Sequence, residues 1–272
     1  MSEIKPRFRT IDGLSIRYAE SDAPRDVEAL LLSPWPESLF AYDATWSRLA
    51  ERAHLVAVDL PGFGQSELRE DLLSPRAMGE FIVRIADEFG LVRPHVVGPD
   101  IGTGAVLFAA AAHPGRFRSV AVGTGGAAVP LQLGSPLSDW VFAEDLAPYR
   151  ALGPKDVVTV AINGIQGYEL PDVVRQDYLA SYTGRQRFAD QIPYVRAYRT
   201  ELPVLGELLP GIETPVAVVS GRHDPVVPLA NAEYLDKHLP HSTLAVLDAG
   251  HFIWEEDADG YAAAVTAHWE AH

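Results

Sequence analysis

The chain has 272 residues, of which 47% are hydrophobic and 22% charged, the make-up of a folded globular protein with a sizeable core. Asp and Glu number 37 against 22 Lys and Arg, a formal net charge of −15 that repels phosphate backbones and anionic lipid. Nucleic acid and membrane surfaces are therefore excluded as expected partners, and the absence of cysteine rules out disulfides, thiolate nucleophiles and Cys-ligated metals. The opening MSEIKPRFRT carries no apolar signal region, and no stretch approaches about 18 apolar residues, so a soluble, cytoplasmic protein is expected.

In chain order, 7–21 reads as an antiparallel hairpin at a sheet edge, with Gly13 between two alternating runs. The near-continuous apolar runs 29–33, 54–60, 95–98 and 119–122 read as buried parallel strands. Helices are expected over 43–53, with Asp43 as N-cap, over 74–89, stopped at Gly90, and over 101–113, ended by Pro114. This alternation predicts an α/β fold with a mostly parallel sheet and helices on both faces. Residues 130–208 break the pattern: no good strand, Trp140, six tyrosines, and helical segments near 138–146 and 171–182. Strands return at 216–220 and 244–247, with helices at 229–238 and 260–270. The expected organisation is one core domain, 1–129 with 209–272, interrupted by a helical cap domain, 130–208. Two successive α/β domains are disfavoured, because each piece is too short for its own sheet.

The strongest local signal is Gly98-Pro99-Asp100-Ile101-Gly102, between the strand HVVG and an Ala-rich helix. Small residues flanking one polar residue between a strand and a helix describe a nucleophile elbow, a tight turn that lifts the central side chain above the sheet. The central residue is Asp100, and no Gly-x-Ser-x-Gly occurs in the chain, which disfavours a serine esterase. The plainer alternative is that these glycines only let helix and sheet pack closely. A dinucleotide site is weaker still, because Gly102-Thr103-Gly104 lacks the third glycine.

Asp224 follows the strand VAVVS, and His251 follows the strand LAVL. Ligands of open α/β sheets bind outside the carboxyl ends of strands, where these residues join Asp100. Asp224 can accept from His251 Nδ1–H and leave Nε2 free to take a proton. The loop Ser33-Pro34-Trp35-Pro36-Glu37-Ser38 follows the strand ALLLS; the backbone N–H groups of Trp35 and Ile101 are the expected oxyanion donors. His223, His238 and His241 show no ligand spacing, so no metal is expected. The acidic run Glu255-Glu256-Asp257, with Asp259, is expected to start the last helix, where the macrodipole favours negative charge.

With these motifs in view, the chain resembles the α/β-hydrolase superfamily over nearly its whole length. Within it, the chain resembles the aspartate-nucleophile branch of epoxide hydrolases and haloalkane and haloacetate dehalogenases. The resemblance rests on Pro34-Trp35-Pro36-Glu37-Ser38, on Asp59-Leu60-Pro61-Gly62-Phe63-Gly64-Gln65-Ser66, on the elbow, the insert and Asp224, and on Gly250-His251-Phe252. Departures are Ser33-Pro34 where the family has His-Gly, Pro99 where it has His, and Ile101 where many members have Trp. The last removes a usual halide-binding N–H, and the absence of arginines soon after Asp100 disfavours a small carboxylate substrate. The resemblance implies no cofactor.

The implied mechanism has Asp100 attack a saturated carbon to form an alkyl ester. Water deprotonated by His251 then hydrolyses the ester, with Asp224 orienting the imidazole. An opening epoxide needs an acidic O–H, for which Tyr149 and Tyr198 are the candidates by position. A departing halide needs N–H donors, which keeps the indoles of Trp35 and Trp140 in view. The leading reading is an epoxide hydrolase acting on a small apolar substrate. Alternatives are a hydrolytic dehalogenase, a non-covalent lyase, isomerase or cyclase, and a binding protein without turnover; a homodimer stays open.

Overall fold

The structure is a computed structural model that describes residues 3–22, 25–183 and 187–272. Strands β1 (Arg7–Ile11) and β2 (Leu14–Glu20) form the expected edge hairpin. Its two-residue turn, Asp12 and Gly13, has φ of 49° and 81°, the left-handed geometry that matches the twist of the paired strands. The other strands are β3 (Glu28–Leu32), β4 (His54–Val58), β5 (His95–Pro99), β6 (Val120–Gly123), β7 (Val216–Gly221) and β8 (Ser242–Leu247). They form one sheet ordered β1-β2-β4-β3-β5-β6-β7-β8, antiparallel at β1–β2 and β2–β4 and parallel from β4 through β8. Residues of β5, β6 and β7 are buried throughout, as their unbroken apolar runs require when helices cover both faces.

The helices before the insert are α1 (Trp46–Ala50), α2 (Pro75–Glu88) and α3 (Ile101–Ala112). The insert contributes α4 (Leu137–Phe142), α5 (Ala147–Arg150), α6 (Pro154–Ile162), α7 (Asp172–Ala180), α8 (Arg187–Arg196) and α9 (Tyr198–Leu208). After the sheet resumes come α10 (Ala230–His238), α11 (Ile253–Glu256) and α12 (Ala258–Ala271). The described residues between β6 and β7 hold no strand, as expected for 130–208, of which 184–186 lie outside the described residues.

Three expectations need correction. The helix read over 43–53 is a 3-10 turn, Leu39–Tyr42, followed by the short α1. Ser38, not Asp43, is the cap: its side chain accepts from Phe40 N–H, and Asp43 closes the turn by donating its N–H to Phe40. In the insert, the segments read at 138–146 and 171–182 shrink to α4 and α7, and α5, α6, α8 and α9 add to them. Helices α8 and α9 carry internal prolines, Pro193 and Pro203, which argue against helix in sequence; tertiary packing overrides that cost. Finally, the acidic run does not simply open the last helix. Asp257 does cap α12, accepting from Gly260 N–H at 3.0 Å, but Glu255 is buried inside α11.

The insert is tied to the sheet by buried charge. Arg17 of β2 donates to Asp59 after β4 at 3.3 Å and, through both terminal guanidinium nitrogens, to Asp177 of α7. Asp177 also accepts from the Ser38 hydroxyl at 2.6 Å and from Gln65 Nε2 at 3.2 Å. Asp59 in turn accepts from the backbone N–H groups of Leu39 and Gln65, so it braces the loop that follows β3.

Candidate active site

Asp100 stands between β5 and α3 with φ 52° and ψ −119°, a conformation that L-residues rarely adopt. The surrounding bonds hold it there. Its N–H donates to Gly123 at 2.8 Å, and the Thr103 hydroxyl donates to Gly98 and Gly123. A Cβ on Gly98 would lie 2.5 Å from Val106 Cγ2, so this glycine is what lets α3 return so close to β5. The packing reading of the glycines and the elbow reading are therefore both met by one geometry.

The Asp100 carboxylate is split between two environments. Oδ2 accepts from Trp35 N–H at 2.7 Å, and the Ile101 N–H also bonds the carboxylate. Oδ1 lies 3.8 Å from His251 Nε2. Burial pushes the Asp100 carboxyl up to about 6; the charge of His251 and the two backbone N–H groups act against that rise. His251 Nδ1 is 2.8 Å from Asp224 Oδ2, and Asp224 Oδ1 is fixed by the N–H groups of Val226 and Val227 at 2.8 Å each. Burial disfavours the imidazolium, but the Asp224 carboxylate outweighs it, with Asp100 adding to the effect, so His251 titrates above the ordinary histidine range.

Of the two candidate tyrosines, Tyr198 lies within electrostatic range of Asp100, while Tyr149 is engaged within the insert. Tyr198 opens α9, is 3% exposed and packs edge-on to Tyr194. Burial, then the Asp100 charge, push its phenol well above the usual tyrosine range, and its hydroxyl makes no hydrogen bond to the described residues. Tyr149 is half-buried on α5, and its hydroxyl donates to the Asp139 carbonyl at 3.3 Å. Trp140 packs edge-on against Trp35 and Phe188.

Several site residues escaped the sequence reading. Gln191 of α8 accepts from the Trp35 indole N–H at 2.6 Å and donates to the Gly62 carbonyl at 2.7 Å. The Trp35 indole, expected to be open to a halide, is thus already engaged, and it is stacked on Phe188. Tyr194 donates to the Ile101 carbonyl at 2.7 Å, which braces the turn beside Asp100. Glu37 and Glu255 lie buried behind the oxyanion loop. Glu37 had a sequence signal in its place in the Pro-Trp-Pro-Glu-Ser motif, and Glu255 was read only as part of an acidic helix start; Gln191 sits on α8, whose register the sequence did not disclose. Among the described residues, no group of three His, Cys, Asp or Glu gathers to hold a metal ion, and no helix is long and apolar enough to cross a membrane.

The chain is 29% identical over 269 residues to a dihydrolipoyllysine-residue acetyltransferase component of an acetoin cleaving system from Cupriavidus necator, covering 96% of this chain and 68% of that protein. It is 27% identical over 278 residues to an uncharacterized hydrolase of Saccharomyces cerevisiae, covering 94% of each. A solved α/β-hydrolase-fold protein from Burkholderia ambifaria superposes with a TM-score of 0.82 at 21% identity, covering 97% of this chain and 99% of that one. A family model described as the alpha/beta hydrolase fold matches residues 35–258, which span the oxyanion loop, the elbow, the insert, Asp224 and His251; the chain belongs to the α/β-hydrolase family.

Proposed function

We propose that this α/β hydrolase opens epoxides through a covalent ester on Asp100, with 130–208 serving as the cap over the site. The observation that carries the reading is the divided carboxylate: Oδ2 held by the Trp35 N–H, with the Ile101 N–H also on the carboxylate, and Oδ1 3.8 Å from His251 Nε2. Asp100 Oδ1 attacks an epoxide carbon, the C–O bond breaks, and the alkoxide takes the Tyr198 proton. His251 then takes a proton from water, whose oxygen attacks Cγ of Asp100. The oxyanion forms on Oδ2 between the two N–H groups. The ester C–O bond breaks, His251 returns its proton to the departing alkoxide, and the new carboxyl proton passes to the Tyr198 phenolate.

Esterification also retunes the neighbours. It removes the Asp100 charge, which raises both Tyr198 and His251 in the free enzyme. Tyr198 thereby becomes a better acid as the alkoxide forms, and His251 gives up a proton more easily before it must act as base. The dehalogenase alternative loses support because the Trp35 indole N–H is held by Gln191.

The test is intact-protein mass spectrometry of His251→Gln mixed with a panel of epoxides and alkyl halides. An adduct carrying the whole epoxide mass, mapped to Asp100, is expected. An adduct from the halides alone makes the enzyme a dehalogenase. Turnover by the parent enzyme without any adduct in the variant overturns covalent catalysis.

A further inference from the structure

Behind the oxyanion loop lies a second buried acidic pair that the reaction above does not use. Glu37 follows Trp35 by two residues, and Glu255 follows His251 by four; both are at most 3% exposed. Glu37 Oε1 accepts from Trp254 Nε1 at 3.1 Å, and Glu255 Oε1 accepts from the Tyr178 hydroxyl at 2.8 Å. The remaining oxygen of each, Oε2, is buried without a partner that donates to it among the described residues; Trp254, which holds Glu37, is the chain neighbour of Glu255, and this brings the two carboxyls into interaction. Two carboxylates have acceptors only, so a bond between them requires a proton on one.

The surroundings favour that proton. Tyr42 of the 3-10 turn, Tyr178 of α7 and Asp100 lie within electrostatic range of Glu37, and Tyr168, Asp43 and Glu256 within that of Glu255. All of these are acidic or phenolic, and none is a cation. Burial, reinforced by mutual repulsion, holds Glu37 well above the ordinary carboxylate range, and burial raises Glu255 as well. The pair joins three segments that the active site needs in register: the Trp35 loop, the loop and helix after His251, and α7 of the insert.

We propose that Glu37 and Glu255 hold one proton between them and act as a positioning pair that fastens the oxyanion loop to the histidine loop and to α7. Loss of that proton to solvent leaves two facing carboxylates, which push the Trp35 loop away from α11 and disturb the Asp100 donor pair. This inference is independent of which electrophile Asp100 attacks, and its test uses no substrate.

Both folded-state values lie above the unfolded carboxylate value, so the native state binds more protons, and stability falls as pH rises through the folded value. Glu37→Gln mimics the protonated form: its carbonyl still accepts from Trp254, and its amide donates to Glu255. Three measurements on wild type, Glu37→Gln and Glu255→Gln decide the matter: unfolding free energy from pH 7 to 10, the infrared band of protonated carboxyl groups at pH 8, and the Trp35 amide resonance against pH. Wild type is expected to lose up to tenfold in folding constant per pH unit across the titration relative to either Gln variant. It should show a protonated-carboxyl band that both variants lack, and a Trp35 amide shift that follows the same titration and disappears in Glu37→Gln. Parallel stability curves, or no Glu37-dependent band, overturn the shared proton. A stability difference with a stationary Trp35 amide overturns the positioning role and leaves the pair structural. If one variant fails to fold, the other carries the same comparison.

Discussion

Asp100 shows what one residue costs the fold. A carboxyl raised from 3.8 to about 6 by burial favours its protonated form in the native state. Stability on its account is full below about pH 4 and is lost as pH rises through about 6, by roughly 3 kcal/mol at pH 7. Asp100→Asn keeps an acceptor for the Trp35 N–H and removes the buried charge. It should therefore abolish turnover yet raise stability at pH 7 by about 2–3 kcal/mol, with the gain vanishing near pH 4. Urea unfolding at both pH values checks this; an equal gain at pH 4 would show that the charge is not its source. The elbow motif made Asp100, Asp224 and His251 legible because each follows a strand whose apolar run can be read directly. Gln191 was not legible, because nothing in the insert sequence states which face of α8 meets Trp35.

At the scale of elements, α7 is the member that couples the insert to the sheet. Adjacent residues on it enter two different buried networks, Asp177 with Arg17 and Ser38, Tyr178 with Glu255. Asp177→Ala leaves Arg17, at 4% exposure, with Asp59 alone. Removing one partner from a buried ion pair costs about 3–5 kcal/mol, and the surviving Asp59 puts this case near 3 kcal/mol. Guanidinium denaturation measures the loss, and limited proteolysis is expected to cut first between α6 and α9. First cuts elsewhere would mean that α7 is not what holds the insert. The parallel strands were readable as short unbroken apolar runs. The helices of the insert were only partly readable, since Pro193 and Pro203 sit inside helices that packing stabilises, and α8 buries Phe188, Ile192 and Tyr194 against the site.

For the whole molecule, a net charge of −15 sets a long-range self-repulsion that no single pair reveals. Raising ionic strength from about 0.01 M to 0.15 M shortens the screening length from about 30 Å to 8 Å. The melting temperature is expected to rise over that range, while kcat/KM for an uncharged substrate stays constant and that for an anionic one increases, because screening relieves repulsion on approach. Scanning calorimetry and initial rates at both salt levels test this, and a melting temperature indifferent to salt would refute it.

The sequence by itself determined the sheet and the carboxyl-end positions of Asp100, Asp224, His251 and Trp35, because strand burial and turn chemistry are local and leave periodic marks. Tertiary structure alone decided that Tyr198 is buried within electrostatic range of Asp100, that Gln191 occupies the Trp35 indole, and that Glu37 interacts with Glu255. Those facts depend on how helices with ambiguous boundaries dock across distant segments. A contact between residues 37 and 255 leaves no period in the chain; it exists only once the sheet, the insert and the loop after β8 have closed around the same space.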